Sequence, residues 1–312
     1  MLFLDVWHFI YFKMQKDRIL NLLHLHFIVF IWGFTAILGK LITIDSLPLV
    51  WIRMGLATVF ISMYIYFAKF SLKGSKKTFF WLLGGGIVVA LHWVTFFLAI
   101  KVSTVSVALA MMSTGAFFTA LMEPFWYGRK VIGYEIVFGL LVVAGLYLIF
   151  KVETQYVFGM GIALISAFLA AVFSLINGKL VQNYRPSMIS FYELGVGVIF
   201  LSIILIFKGD WNMSLVTLPT MDWVYLLILA IVCTAYAFIA SVKIMRVLTP
   251  YTVMLTTNLE PIYGILLAWF IFGSEEKMKP MFYVGALIIL TTVIANGILK
   301  QRENIKKRVP KI

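Results

Sequence analysis

Glutamate in the middle of an apolar run is expensive, and Glu260 is the residue that first demands an explanation. It is followed by Pro261, which withholds a backbone donor and can open a kink in a helix. Thr256, Thr257 and Asn258 precede it, so one short segment offers a carboxyl, an amide and two hydroxyls. Such a group can bind a polar solute or carry a proton; the structural alternative is a polar pair inside a helix bundle. Arg53 and Glu193 lie in two other apolar runs, at nearly corresponding places and with opposite signs. At opposite mouths of a passage they could take the two ends of a zwitterion, with the guanidinium gripping a carboxylate through two hydrogen bonds. The alternative has Arg53 snorkelling to an interface and Glu193 paired with Lys179 or Arg185. His92, beside Trp93 and after Gly84-Gly85-Gly86, is a proton relay or a partner for a neighbouring hydroxyl or carbonyl. Glu260 and His92 are therefore the candidates for proton coupling.

Weaker candidates surround these. Trp32 and Trp93 fall deep enough in their runs to stack on a planar solute, whereas Trp126 and Trp269 fall near run ends, where tryptophan is common at membrane interfaces. Ser113, Thr114, Thr234 and Tyr236 could line a cavity, or satisfy their own backbone carbonyls. Lys40 is either interfacial or a second positive group beside Arg53. Catalytic and metal chemistry find no footing. The chain has one cysteine, Cys233, and four histidines, three of them near its start, and it lacks His-Glu-x-x-His, Gly-x-Ser-x-Gly and the phosphate-binding Gly-x-x-x-x-Gly-Lys-[Ser/Thr]. The expectation is no enzyme, no metal and no cofactor, with a lipid-modifying membrane enzyme as the alternative from another class.

The elements that must position these residues follow from composition. Hydrophobic side chains make up 62% of the 312 residues, charged ones only 12%, and the mean hydropathy is +1.01. A soluble domain carries about twice that share of charge, so this chain must face hydrocarbon. Ten runs are long enough to cross a bilayer, near 22–42, 48–68, 78–99, 104–126, 132–150, 157–178, 188–207, 223–244, 251–272 and 281–299. If the N-terminus is cytoplasmic, the connections on that side hold nineteen Lys and Arg and those on the other side five, with Lys40 and Arg53 inside the runs. That bias places both termini inside. The net charge of +13 is thus a record of topology, and nucleic acid is not an expected partner. The stretch before Met14 has no basic leader and is assigned no function.

The runs repeat. A shift of 145 lays Lys101-x-x-Thr104 over Arg246-x-x-Thr249 and Tyr127-Gly128 over Phe272-Gly273, and a shift of 139 lays Gly39-Lys40-Leu41 over Gly178-Lys179-Leu180. Each copy holds five runs. Because five is odd, the second copy enters the membrane from the opposite side, and inverted copies can expose one central site to each side in turn. The expected fold is an all-α integral membrane protein of ten transmembrane helices in two inverted five-helix repeats. In helix six, Ser166, Ala170, Ser174 and Gly178 make a small-residue stripe for close packing.

Ile31-Trp32-Gly33-Phe34-Thr35 with Lys40, Pro48 through Arg53, Glu123-Pro124…Tyr127-Gly128, and Glu260-Pro261…Phe272-Gly273-Ser274-Glu275-Glu276 resemble the EamA family of the drug/metabolite transporter superfamily. The resemblance runs from about residue 20 to 300. It implies repeats over 21–150 and 156–299, flanked by an N-terminal cytoplasmic segment, 1–20, and a basic tail, 300–312. It also implies a substrate path between the halves and export of small metabolites such as amino acids; the compact connections favour a bacterial inner membrane as the setting. The substrate-binding candidates are then Trp32, Thr35, Arg53, His92, Trp93, Ser113, Thr114, Glu193, Tyr236, Asn258 and Glu260. A sugar-phosphate or nucleotide-sugar antiporter is the runner-up, although such anions call for more basic groups than Arg53 and Lys40. The chain departs from the family pattern at Gly128-Arg129-Lys130, which lacks the acid found after Gly273. Glu123 is not its substitute.

Overall fold

The computed structural model describes residues 2–128 and 133–308, and it is helical throughout. Arg129 and Lys130, the departure noted above, lie outside the described residues, as do residues 309–312 of the basic tail. Among the described residues nine helical stretches are long and apolar enough to cross a membrane, and a shorter apolar helix over Ile136–Val152 completes ten crossings.

In chain order the first half comprises α1 (Leu2–Leu41), α2 (Ser46–Phe67), α3 (Lys76–Val102), α4 (Val105–Met112), α5 (Gly115–Tyr127) and α6 (Gly133–Val152). The second comprises α7 (Val157–Leu180), α8 (Pro186–Phe207), α9 (Thr220–Ala230), α10 (Ala237–Ile244), α11 (Pro250–Thr257), α12 (Glu260–Phe272) and α13 (Pro280–Arg308). Three crossings that the sequence reads as continuous are interrupted. The fourth breaks between α4 and α5 at Ser113-Thr114, and the ninth between α11 and α12 at Asn258-Leu259. These two breaks are 145 residues apart, the spacing of the repeat itself. In the eighth, a π-helical turn over Ile231–Tyr236 joins α9 to α10 and shifts the register of α10 against α9.

The repeat is visible in the bonds as well as in the helices. Thr104 caps α4 by accepting from the Val107 amide at 3.1 Å, and Thr249 caps α11 by accepting from the Thr252 amide at 3.2 Å. Lys101 donates to the Ile42 carbonyl at 2.8 Å, while Arg246 donates to the Val181 carbonyl at 3.0 Å, with Val181 standing 139 residues after Ile42. Lys40 lies 4.2 Å from the centre of the Phe272 ring and Lys179 lies 5.4 Å from that of Tyr127. Each contact thus has a counterpart made by the residues that correspond to it under the repeat.

The halves pack against one another, not side by side. Helix α3 packs on α7 and α8, α2 on α8, α6 on α13, and α1 on α12. The stripe on α7, Ser166, Ala170, Ser174 and Gly178, is buried together with the adjoining Ala163, Ala167 and Ala171, and Ser166 donates to the His92 carbonyl on α3 at 2.8 Å. Small side chains let the two backbones approach where no hydrophobic effect operates between helices. Outward-facing apolar residues such as Phe80, Phe125, Phe158, Phe207 and Phe270 are exposed, as a lipid-facing surface requires.

Candidate functional site

Between the halves lies a cavity of about 90 Å³, bounded by α1, α2, α3, the end of α4, α7, α10, α11 and α12 and by the turns at Cys233 and Asn258. That is well above the roughly 10–15 Å³ needed to admit a single water. Its walls are aromatic and thioether-rich, with Trp32, Trp93, Phe96, Phe173, Phe238, Met112, Met245 and Met254. The polar groups among them are few and placed.

Arg53 is 2% exposed and does not snorkel to an interface. Its guanidinium carbon stands 4.1 Å from the centre of the Trp93 ring, and its Nε donates to Thr234 Oγ1 at 2.6 Å. The π-turn makes this possible. It lets Thr234 Oγ1 reach the Leu229 carbonyl at 2.7 Å, five residues back, and turns the hydroxyl toward α2. Arg53 Nη1, Asn258 Nδ2 and Thr35 Oγ1 are buried on this cavity with no hydrogen-bond partner. A buried donor left unmade costs about 1–3 kcal/mol. All three belong to residues that line the one hollow. Glu260 shares the cavity wall, yet no ion pair within 4.0 Å joins it to Arg53. A guanidinium and a carboxyl group thus line the same space without pairing.

His92 also lines the cavity, with Nδ1 at 2.8 Å from Ser166 Oγ. Trp32 does so with its indole nitrogen donating to the Cys233 carbonyl at 3.2 Å, which leaves the ring face to the cavity and the polar edge satisfied. Of the eleven residues singled out from sequence, Trp32, Thr35, Arg53, His92, Trp93, Asn258 and Glu260 meet here.

The other four do not. Ser113 and Thr114 sit at the break between α4 and α5 and donate to the Ala110 and Met111 carbonyls at 2.6 and 2.8 Å. The broken turn captures both hydroxyls, and Met112 lines the cavity in their place. Tyr236 ends the π-turn 43% exposed, its hydroxyl 2.8 Å from His24 Nε2 on the outer face of α1. Glu193 is fully buried on α8 and pairs with neither Lys179 nor Arg185. It accepts from Asn177 Nδ2 at 3.1 Å, away from the cavity lining. The picture of Arg53 and Glu193 at opposite mouths is therefore corrected: Arg53 and Glu260 share the centre.

The two ends of the cavity differ. At one end Glu276, 1% exposed, accepts from the amides of Val105 and Ser106 at 3.1 and 2.9 Å, from Ser106 Oγ at 2.8 Å and from Lys40 Nζ at 3.0 Å. A carboxylate on the first turn of α4 complements the helix dipole and two free amides at once. Lys40 is thereby neither a vestibule charge beside Arg53 nor a simple interfacial lysine, and it also pairs with Glu275 at 3.1 Å. Asp222 adds a second tie on this side, accepting from the amide and hydroxyl of Thr43 at 3.1 and 2.6 Å. At the opposite end a second cavity, about 550 Å³, opens among Tyr127, Lys179, Arg246 and Pro250. Met245 lines both hollows and is what separates them. Sequence reasoning gave no role to Glu276, Asp222 or Met245, and named Thr234 only as a hydroxyl that could line a cavity or satisfy its own carbonyl. The recurrence of Lys40 and Lys179 in the two copies was the available signal for the first of these.

A ten-crossing helical membrane protein, built of two inverted repeats around a mostly apolar cavity with a few placed polar groups, is the class that this fold and site define. The sequence profile of the EamA-like transporter family matches residues 21–151 and 157–297, five crossings each. The chain belongs to that family, and it is a multi-pass membrane transporter. It is similar to an uncharacterized transporter of Archaeoglobus fulgidus, 25% identical over 285 residues that cover 87% of this chain and 94% of the relative. It is also similar to the uncharacterized transporter YxxF of Bacillus subtilis, 23% identical over 244 residues, 76% of this chain and 77% of the relative. A crystal structure shares the fold at TM-score 0.62, with 14% identity over 89% of this chain and 96% of the other.

Proposed function

We propose that the chain is a secondary carrier exporting a small amphipathic metabolite of the amino-acid type across a bacterial inner membrane. The observation that carries this reading is the pairing, in one cavity, of unpartnered donors on Arg53 and Asn258 with the carboxyl group of Glu260. A substrate carboxylate satisfies the donors and its ammonium faces Glu260, while an apolar side chain lies against Trp32, Trp93 and the methionines. Among the described residues Arg53 is the one lysine or arginine on the cavity wall, which favours a single carboxylate over a sugar phosphate.

Access alternates because the repeats are inverted. The end held by Glu276 and Asp222 is shut and faces outward, by the distribution of basic residues; the wide hollow beyond Met245 faces the cytoplasm, with both termini. Opening the one end and closing the other exchanges the roles of the two copies. A gradient supplies the energy, and protons are its candidate coupling ion, with Glu260 and His92 standing where a proton and a substrate amine would meet.

Proteoliposomes test the reading. Loaded with a labelled mixture of the twenty protein amino acids, wild type should release a subset faster than empty-vesicle controls, and Arg53→Met should not. Release of none of them removes the amino-acid assignment. Equal rates with and without a pH gradient remove proton coupling.

A further inference from the structure

Glu193 is a carboxyl group with no use in the cavity and no cation beside it. It is fully buried, as are Asn177 and Ser190. Its Oε2 accepts from Asn177 Nδ2 at 3.1 Å, while its Oε1, Asn177 Oδ1 and Ser190 Oγ have no partner at all. Asn177 and Glu193 are joined by that bond, and Ser190 lies one turn before Glu193 on the same face of α8. Three orphan oxygens therefore sit in one dry place between α3, α7 and α8. Among them only the serine hydroxyl carries a hydrogen to give. One hydrogen is missing from the set.

The surroundings are built to keep water and charge away. Any side chain at Gly85 would collide with the Glu193 carboxyl, and one at Gly86 would come within 2.6 Å of the Glu193 carbonyl oxygen. The bare backbone of α3 thus forms the wall of the site. The charged and titratable groups of the packed helices point elsewhere. Arg53 on α2 stacks on Trp93, His92 on α3 bonds Ser166, Lys179 on α7 lies over Trp126 and Tyr127, and Lys243 on α10 is exposed. Arg185, which precedes α8, lies over the Phe70 ring. None makes an ion pair with Glu193 within 4.0 Å. An ionised carboxylate with one amide for company does not persist in such a place, because its desolvation is uncompensated.

We propose that Glu193, with Asn177 and Ser190, is a proton-binding site separate from the substrate cavity, and that loading it is what lets α3 and α8 close together. The proton enters on Oε1: an O–H bond forms there as a hydronium ion becomes water, and the acid donates to Asn177 Oδ1 or Ser190 Oγ. Release reverses these steps and requires the α3–α8 contact to open, since the carboxylate then needs water. The site communicates with the cavity along two helices. Asn177 is one turn beyond Ser174, which lines the cavity, and Gly85 is two turns, about 10 Å, from His92. The coupling is thermodynamic: a state that holds the proton better is populated by acid.

The closing experiment has two arms, of which the first needs no substrate and so stands apart from the proposed function. Infrared spectra of the protein in lipid nanodiscs are recorded in light and heavy water, for wild type and Glu193→Gln. The glutamine is isosteric and supplies the missing donor permanently. The wild-type minus variant difference spectrum should contain a deuterium-sensitive carbonyl stretch of one protonated carboxyl, with any band from Glu260 cancelling. A difference spectrum without that stretch overturns the assignment. In the second arm, amino acids released by wild-type vesicles are followed with and without a pH gradient. Glu193→Gln should lose about tenfold of any gradient-driven release while retaining exchange at equal pH. An unchanged gradient response in the variant, or none in wild type, overturns the coupling role. If no amino acid moves at all, the amino-acid reading fails and the infrared result still decides the site.

Discussion

Glutamine at position 276 should unlatch the closed end of the cavity. Glu276 holds α4 by two backbone amides and a hydroxyl and holds α1 through Lys40, all with its own side chain fully buried. Hydrogen bonds to a charged group are worth about 1.5–3 kcal/mol each, and much of that offsets the desolvation of the carboxylate. Glutamine keeps one acceptor oxygen and turns an NH₂ toward groups that are themselves donors, so the net loss is about 2–3 kcal/mol. The Lys40–Glu275 pair survives, but Glu275 is 71% exposed and such a pair contributes at most about 1 kcal/mol. At tenfold per 1.4 kcal/mol, the equilibrium toward opening should move by roughly 30–150-fold. Cys233 is the chain's single cysteine and lines the cavity at 2% exposed, so its reactivity reports opening without background. The assay is the rate of its alkylation by a membrane-impermeant maleimide, added to sealed vesicles from one side at a time. Glu276→Gln should accelerate labelling from the Lys40 side, and Glu275→Gln should change it only slightly. An unchanged rate, or acceleration from the Met245 side alone, would refute the latch.

Other expectations rest on the same geometry. Arg53→Lys should raise the KM for the transported amino acid by roughly 10–150-fold in initial-rate measurements, because an ammonium cannot both stack on Trp93 and offer a planar pair of donors. Gly85→Ala should destabilise the protein by about 1–3 kcal/mol in thermal melts, since the new methyl meets the Glu193 carboxyl with no room to move. Thr104→Val and Thr249→Val each remove a helix cap worth about 1 kcal/mol. The first should cost more in the same melts, because Thr104 is 4% exposed whereas the Thr249 bonds are open to solvent.

Much of this protein was legible before any coordinates. Apolar runs of bilayer length, the placing of lysine and arginine between them, and the recurrence of Lys40 and Thr104 at Lys179 and Thr249 specify ten crossings and two inverted copies. These are properties of one dimension: hydrophobic length and periodicity act along the chain, and the bilayer imposes them locally. The polar residues that would meet were partly legible too, because an arginine, a histidine and a glutamate inside hydrocarbon must each find a partner. Which partner each finds is a different matter. Arg53 and Glu193 look alike in sequence, yet one stacks in the cavity and the other is sealed against Gly85. Ser113 and Thr114 turn inward on their own carbonyls because a helix breaks beneath them, and Tyr236 faces outward because a π-turn shifts its register. The direction of a side chain about a helix turns by 100° for each residue inserted, so a single irregular turn decides what faces the cavity. Only the packing of one half on the other sets those turns, and with them the site.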